Sequence, residues 1–217
     1  FAQKLVKNFV LRHNYTSTVT VSGLQTNLKA DQDQNGNSSM LDLNNNFYAP
    51  QVISNVTVIE RFSPLIGMDA TWKLLGQDLL TKFEYKKDKN ANLALANNQV
   101  TEIRGEEFVF GIGYKIPKVK FPFKIGSKPI VEPLIIRFDF SLRDNITVIR
   151  KIEENTNNAT AGQRIMSIKS TIDYTINQII TLQLYYDHTI NTPKVAISYP
   201  TANMQCGIRL RINLAGI

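Results

Sequence analysis

Cysteine, tryptophan and histidine are almost missing from this chain. Its 217 residues hold one Cys (Cys206), one Trp (Trp72) and two His (His13 and His188). A single Cys excludes an internal disulfide framework and a cysteine-rich zinc site. Cys206 lies on an apolar strand face and is read as packing. Also missing is any apolar run approaching the roughly 18 to 20 residues that a membrane helix needs. No Gly-x-Ser-x-Gly motif surrounds a serine, so Asp187-His188 stands without a recognisable nucleophile. The chain has no initiator Met and no charged-then-apolar leader, so it is read as starting after processing or as a piece of something longer.

What is present is alternation. In Gln205–Leu214, Cys206, Ile208, Leu210, Ile212 and Leu214 fall on one face, and Gln205, Gly207, Arg209, Arg211 and Asn213 on the other. Successive side chains of a strand point to opposite sides, so this segment is greasy on one side and charged on the other. The hydrophobic fraction of 43% excludes a disordered polymer. The net charge of +7 invites nucleic acid or anionic lipid. However, the Lys and Arg residues alternate with apolar ones along strands and no aromatic RNA-binding motif accompanies them, so a charged sheet face is expected and no nucleic acid.

About eight such strands are expected. The first spans roughly 9–24 and the second 55–73, where Glu60 and Pro64 interrupt the apolar side. Pro64 lacks an N–H, so a bulge or a local edge is expected there. The third (81–95) sets Phe83 and Tyr85 against Lys82, Glu84 and Lys86. The fourth (106–116) sets Phe108, Phe110, Ile112 and Tyr114 against Gly111, Gly113 and Lys115. The fifth (134–150) sets Ile136, Phe138, Phe140 and Leu142 against Arg137, Asp139 and Arg143. The sixth and seventh form a hairpin about Asn177-Gln178, with Ile168, Ile172, Leu182 and Leu184 on the apolar side. The eighth ends the chain.

These strands are longer than the five or six residues usual in soluble sheets, and a tilted strand crossing a bilayer needs about 9 to 11. Long amphipathic strands with no helix to cover them are expected as all-β, antiparallel transmembrane strands, apolar toward lipid and polar toward a lumen. Residues 1–217 are read as one segment without an internal boundary. The expected lumen-facing residues are Arg61, Asp69, Lys73, Lys82, Glu84, Arg137, Asp139, Arg143, Lys169, Asp173, Arg209 and Arg211. The expected lipid-facing residues are Phe108, Phe110, Ile112, Phe138, Phe140, Ile168, Ile172, Leu182, Leu184, Ile208, Leu210 and Ile212. Trp72, Tyr114, Tyr186 and Tyr199 are candidates for interfacial girdles. With the C-terminus in the periplasm, 74–80 and Asn177-Gln178 are periplasmic turns, while 27–46, 97–105, 155–163 and 191–201 face outside. The stretch 117–133, with Lys118, Lys120, Lys124 and Lys128, is then a long basic periplasmic loop where a short turn is usual.

Signals for other chemistry are weak. Gly111-Ile-Gly113 lacks a third glycine and a helix, so its glycines are read as sites of close approach by a neighbour. Glu106-Glu107 and Glu153-Glu154 are placed at strand ends, and adjacent strand residues point apart. Asp31-Gln-Asp33-Gln-Asn35-Gly36 opens like a calcium loop but lacks the closing Glu. Neither an enzyme, a metal nor a cofactor is expected.

The stretches FVLRHNYTSTVTVSG, RFSPLIGMDATWK, LTKFEYKKDKN, LANNQVTEIRGEEFVFGIGYKI, KVKFPFKIG, RFDFSLRDNITVIRKIE, TAGQ and ISYPTANMQCGIRLRINLA follow in order along nearly the whole chain, from 9 to 215. In combination they resemble the C-terminal region of the SprA/Sov family, the outer-membrane translocon of type IX secretion and gliding motility. The resemblance implies the last strands of a very large single-chain barrel that exports folded cargo. The partners it implies are the remainder of that barrel, an outer-membrane shuttle barrel, a periplasmic plug, other secretion-system proteins, the cargo and lipid. Gln205, Gly207, Leu210 and Ile212 look like the signal read by barrel-insertion machinery, although Ile217 is not aromatic. Two other readings share the strand pattern, a stand-alone eight-stranded outer-membrane barrel and a soluble adhesin-like β-sandwich.

Overall fold

The structure, a computed structural model, describes residues 6–31, 35, 38, 40–125, 128–177, 179–195 and 198–212, with backbone only at 121–125 and 128–130. Every regular element among them is a strand: β1 (Val6–Arg12), β2 (Tyr15–Ser22), β3 (Gln25–Thr26), β4 (Gln51–Val52), β5 (Asn55–Leu74), β6 (Gln77–Ala94), β7 (Gln99–Ile125), β8 (Lys128–Lys151), β9 (Thr156–Thr175), β10 (Ile180–Val195) and β11 (Thr201–Ile212). The long strands are rich in Val, Ile, Thr, Phe and Tyr at alternate positions, the residues that fit a pleated surface.

Nine strands form one antiparallel sheet. From β5 to β11 each strand bonds to the next in sequence. At the near edge β5 carries two partners end to end. β1 runs from Val6↔Trp72 to Arg12↔Gly67, and β2 from Tyr15↔Phe62 to Ser22↔Asn55. They are the halves of the single first strand read from the sequence. His13 and Asn14 step round Pro64 between them. Asn14 N–H donates to Pro64 O at 2.9 Å and Ser63 N–H to Asn14 O at 3.0 Å. On its other side β5 slips against β6 between Phe62 and Ile66, the bulge expected where proline supplies no donor. Among the described residues no ladder joins β1 or β2 to β11, and the sheet does not close on itself.

The connections are shorter, and the strands longer, than the alternation of apolar residues suggests. β5 turns into β6 through Leu75 and Gly76 alone, with φ of 53° and 78°. Such a mirror-image turn matches the right-handed twist of the flanking strands. Residues 99–105 belong to β7 and 156–163 to β9, which reduces the expected loops to the turns 95–98 and 152–155. The stretch 117–133 is no loop either. Its backbone continues the β7–β8 ladder through Val119↔Glu132, Lys120↔Val131, Lys124↔Pro129 and Ile125↔Lys128. Backbone N–H and C=O groups pair whatever their side chains are, so ladders outrun the apolar pattern. Between β2 and β5, the ribbon β3–β4 closes a polar excursion. The calcium-like stretch there, Gln178 of the expected turn, and Asn213 to Ile217 fall largely or wholly outside the described residues.

The sheet is one layer thick. Among the described residues the buried apolar side chains are few: Ala70 and Tyr174, at 7% and 4% exposure, and Pro64. Phe108, Phe110, Ile136, Phe138, Leu184, Ile208 and Leu210 are all exposed.

Candidate functional site

Residues paired across a ladder share a face, so the register sorts the side chains of all the long strands at once. One row reads Leu79, Tyr114, Ile136, Ile172, Leu184, Ile208 from β6 to β11. A second reads Phe83, Phe110, Phe140, Ile168, His188, Met204. With the rows between and beside them, these hold every described residue named above as apolar-facing. On β8 this apolar run is Leu134, Ile136, Phe138, Phe140 and Leu142.

The other face holds every charged residue named with it, from Arg61 to Arg211. In one row Lys82 is followed by Gly111, Asp139, Lys169, Asp187 and Gln205. Its ion pairs gather about Glu84, whose side chain is 7% exposed. Glu84 lies 2.9 Å from Arg12 and 3.3 Å from both Lys82 and Lys86. Arg12 also reaches Asp69 at 2.7 Å. Farther along, Arg137 donates to Asp173 at 2.8 Å and Gln183 to the same carboxylate at 2.6 Å. Gly111 is an approach site as expected, since a Cβ there would meet Asp139 Oδ1 at 2.8 Å. The result is a wall of interspersed positive and negative charge, part of it in ion pairs, with exposed apolar residues such as Leu80 and Ile103 scattered singly among the charges.

The apolar face is not apolar to its end. Beyond Tyr85, Phe108, Leu142 and Met166 the same face continues with Lys87, Glu106, Asp144 and Arg164, which are ladder neighbours in one row. Lys87 lies 3.4 Å from Glu106, Arg164 2.9 Å from Asp144, and Lys194 2.7 Å from Asp144. One step farther out Lys89 and Arg104 hold Glu102 at 3.3 and 2.8 Å, and Tyr15 donates to Glu60 at 3.1 Å. Glu60 apart, this belt of ion pairs was not foreseen from the sequence. Its signal lies in phase: each of these residues sits an even number of positions from the last apolar one on its strand.

Other singled-out residues fall as follows. Trp72 and Tyr114 sit on the apolar face near the Leu75–Gly76 end; Trp72 donates to Thr81 Oγ1 at 2.8 Å and Tyr114 to Leu74 O at 3.4 Å. Tyr186 lies in the midst of that face, opposite Ser170 and Cys206. Tyr199 is in the β10–β11 connection, 88% exposed. Asp187 and His188 point to opposite faces, with Lys169 and Ile168 as their respective β9 partners. Glu106 and Glu107 lie inside β7 rather than at its end, and bond on opposite faces to Lys87 and Lys86. Gln205 and Gly207 lie on the polar face of β11, Leu210 and Ile212 on the apolar one.

No family model and no curated protein matches the sequence.

Proposed function

We propose that this chain is part of the wall of an outer-membrane protein-conducting channel of the SprA/Sov kind, which exports folded cargo in type IX secretion. The observation that carries the reading is the uncovered two-faced sheet, with a continuous apolar field on one side, ionised groups on the other and, among the described residues, no second layer over either. In water such a field would collapse against a partner. Against acyl chains it needs none. On β8 the field is bracketed on its own face by Glu132 and Asp144. Those twelve steps span about 40 Å along a strand, or about 30 Å across a bilayer at a tilt of about 40°, close to the hydrocarbon thickness. Mixed charge on the inner wall keeps it hydrated and gives passing protein little apolar surface to stick to. The unpaired outer edges of β1/β2 and β11 favour a wall completed by further strands over a closed eight-stranded barrel, and the missing second layer argues against a sandwich. The ordered family-like stretches add the type IX assignment.

Spin labels on the native polypeptide in lipid test the faces. Labels at Leu184 and Leu210 are expected to be quenched by oxygen, and those at Arg143 and Arg211 by a water-soluble nickel chelate; the reverse pattern overturns the reading. Val19→Cys, which shares the apolar face with native Cys206, crosslinking to it within one molecule would instead mean that the strands close among themselves.

A further inference from the structure

The β7–β8 hairpin outruns its neighbours. β6 leaves β7 at Leu79↔Tyr114 and β9 leaves β8 at Leu134↔Tyr174, yet β7 and β8 stay paired to Ile125↔Lys128. The overhang, described at 115–125 and 128–133, carries Lys115, Lys118, Lys120, Lys124 and Lys128 against Glu132 alone, four of the seven positive charges in the chain's excess. Lys115, Lys118 and Lys120 are exposed and form no ion pair among the described residues. Every lysine of β6, by contrast, is paired: Lys82, Lys86, Lys87 and Lys89.

Three features say how such an arm would work. Its base is tied down, because buried Tyr174 donates its hydroxyl to Val119 O at 2.9 Å. Pro117, Pro122, Pro129 and Pro133 remove N–H donors from both of its strands, which opposes the addition of another strand to its edges. The shorter side, Lys128–Pro133, runs about 20 Å at about 3.3 Å per residue. A headgroup layer is only about 5 to 7 Å deep, so the arm outreaches it.

We propose that this overhang is an electrostatic docking arm for an acidic surface of a soluble protein, on the side of the membrane where the Leu75–Gly76 turn lies. The location rests on the channel-wall reading above; the charge and the fixed base do not. Recognition is by ammonium groups on carboxylates, without strand exchange, and is therefore sensitive to salt.

The test uses the native polypeptide in phosphatidylcholine nanodiscs and a short fluorescent polyglutamate peptide as probe. Changing Lys118, Lys120, Lys124 and Lys128 together to Glu is expected to weaken binding by about tenfold or more, and so is raising the salt to about 0.15 M. Arg150→Glu with Lys151→Glu, at the far end of β8, leaves binding unchanged. If the reversal blocks insertion, the same four positions as Gln give the same loss of affinity. Binding indifferent to these lysines overturns the proposal. So does binding abolished by phosphatidylglycerol in the disc, which would mean that the arm lies on headgroups. Failure of the channel-wall reading shows separately, as a native polypeptide that stays in solution without detergent.

Discussion

The ring of Tyr185 closes over Gly207 on the neighbouring strand. A Cβ at Gly207 would lie 2.8 Å from the Tyr185 hydroxyl and 3.0 Å from two of its ring carbons, and the Arg209 guanidinium sits 4.0 Å from the ring centroid. The glycine is what lets an aromatic side chain lie down on the polar face. Gly207→Val pushes the ring off and breaks its stack with Arg209. The expected cost is about 1 to 3 kcal/mol, as for an overpacked site, read by urea unfolding in lipid vesicles with Trp72 fluorescence as the signal.

Leu75 holds a φ of 53° while 88% exposed. A branched side chain gains nothing there and sits in a left-handed backbone that disfavours it by about 1 to 2 kcal/mol. Leu75→Asn would make the two-residue turn Asn-Gly, the pair most at home in this geometry. The expected outcome is a gain of about 0.5 to 1 kcal/mol, seen as a higher urea midpoint with an unchanged slope.

Glu84 gathers Arg12, Lys82 and Lys86 around one nearly buried carboxylate. Glu84→Ala leaves β1 held at this point by the Arg12–Asp69 pair alone and costs about 1 to 3 kcal/mol. Limited trypsin digestion should then cut at Arg12 in the variant well before it does in the parent. Equal rates would mean that backbone pairing with β5 suffices.

Phe110 and Val109 are chain neighbours on opposite faces. Phe110→Arg would put a cation among Phe83, Phe140 and Ile112 and cost about 2 to 4 kcal/mol in a bilayer. Val109→Arg faces Glu84 and Ser141 across its ladders and is expected to be tolerated. Refolding yields of the two variants in lipid vesicles decide, and equal yields would contradict the assignment of faces.

In the excursion between β3 and β4, the Asp42 carboxylate accepts the backbone N–H of Asn46 and that of Asn44, both at 2.8 Å. The Asn46 bond foremost holds its carboxyl below the ordinary aspartate range. The stabilisation of this turn is thus complete above that range and is lost as pH falls through the lowered value. Amide shifts of Asn44 and Asn46 should titrate together in acid, and Asp42→Asn should abolish that titration.

Period-two alternation made the strands and the sorting of Arg137, Asp139, Phe138 and Phe140 between faces readable from residues alone, because a half-apolar strand writes its face into its parity. Strand length was readable only in part. The far end of β8 reads correctly at about 150, but the fourth strand reads as 106–116, whereas β7 runs from Gln99 to Ile125 on backbone bonds that leave no trace in side-chain pattern. The ion-pair belt went unseen for a related reason: Glu106 looks like a strand end until Lys87 is found beside it. The basic stretch 117–133 read as a loop because four prolines hide a strand.

From β5 onward every strand bonds to the one next in sequence, and the consequence concerns assembly. No step from β5 to β11 requires joining distant parts of the chain, so the entropic toll of closure is that of a single hairpin each time. Such a sheet can be accreted pair by pair onto an existing margin, each new hairpin finding its template already in place. Only the docking of β1 and β2, across the polar excursion, demands a longer reach.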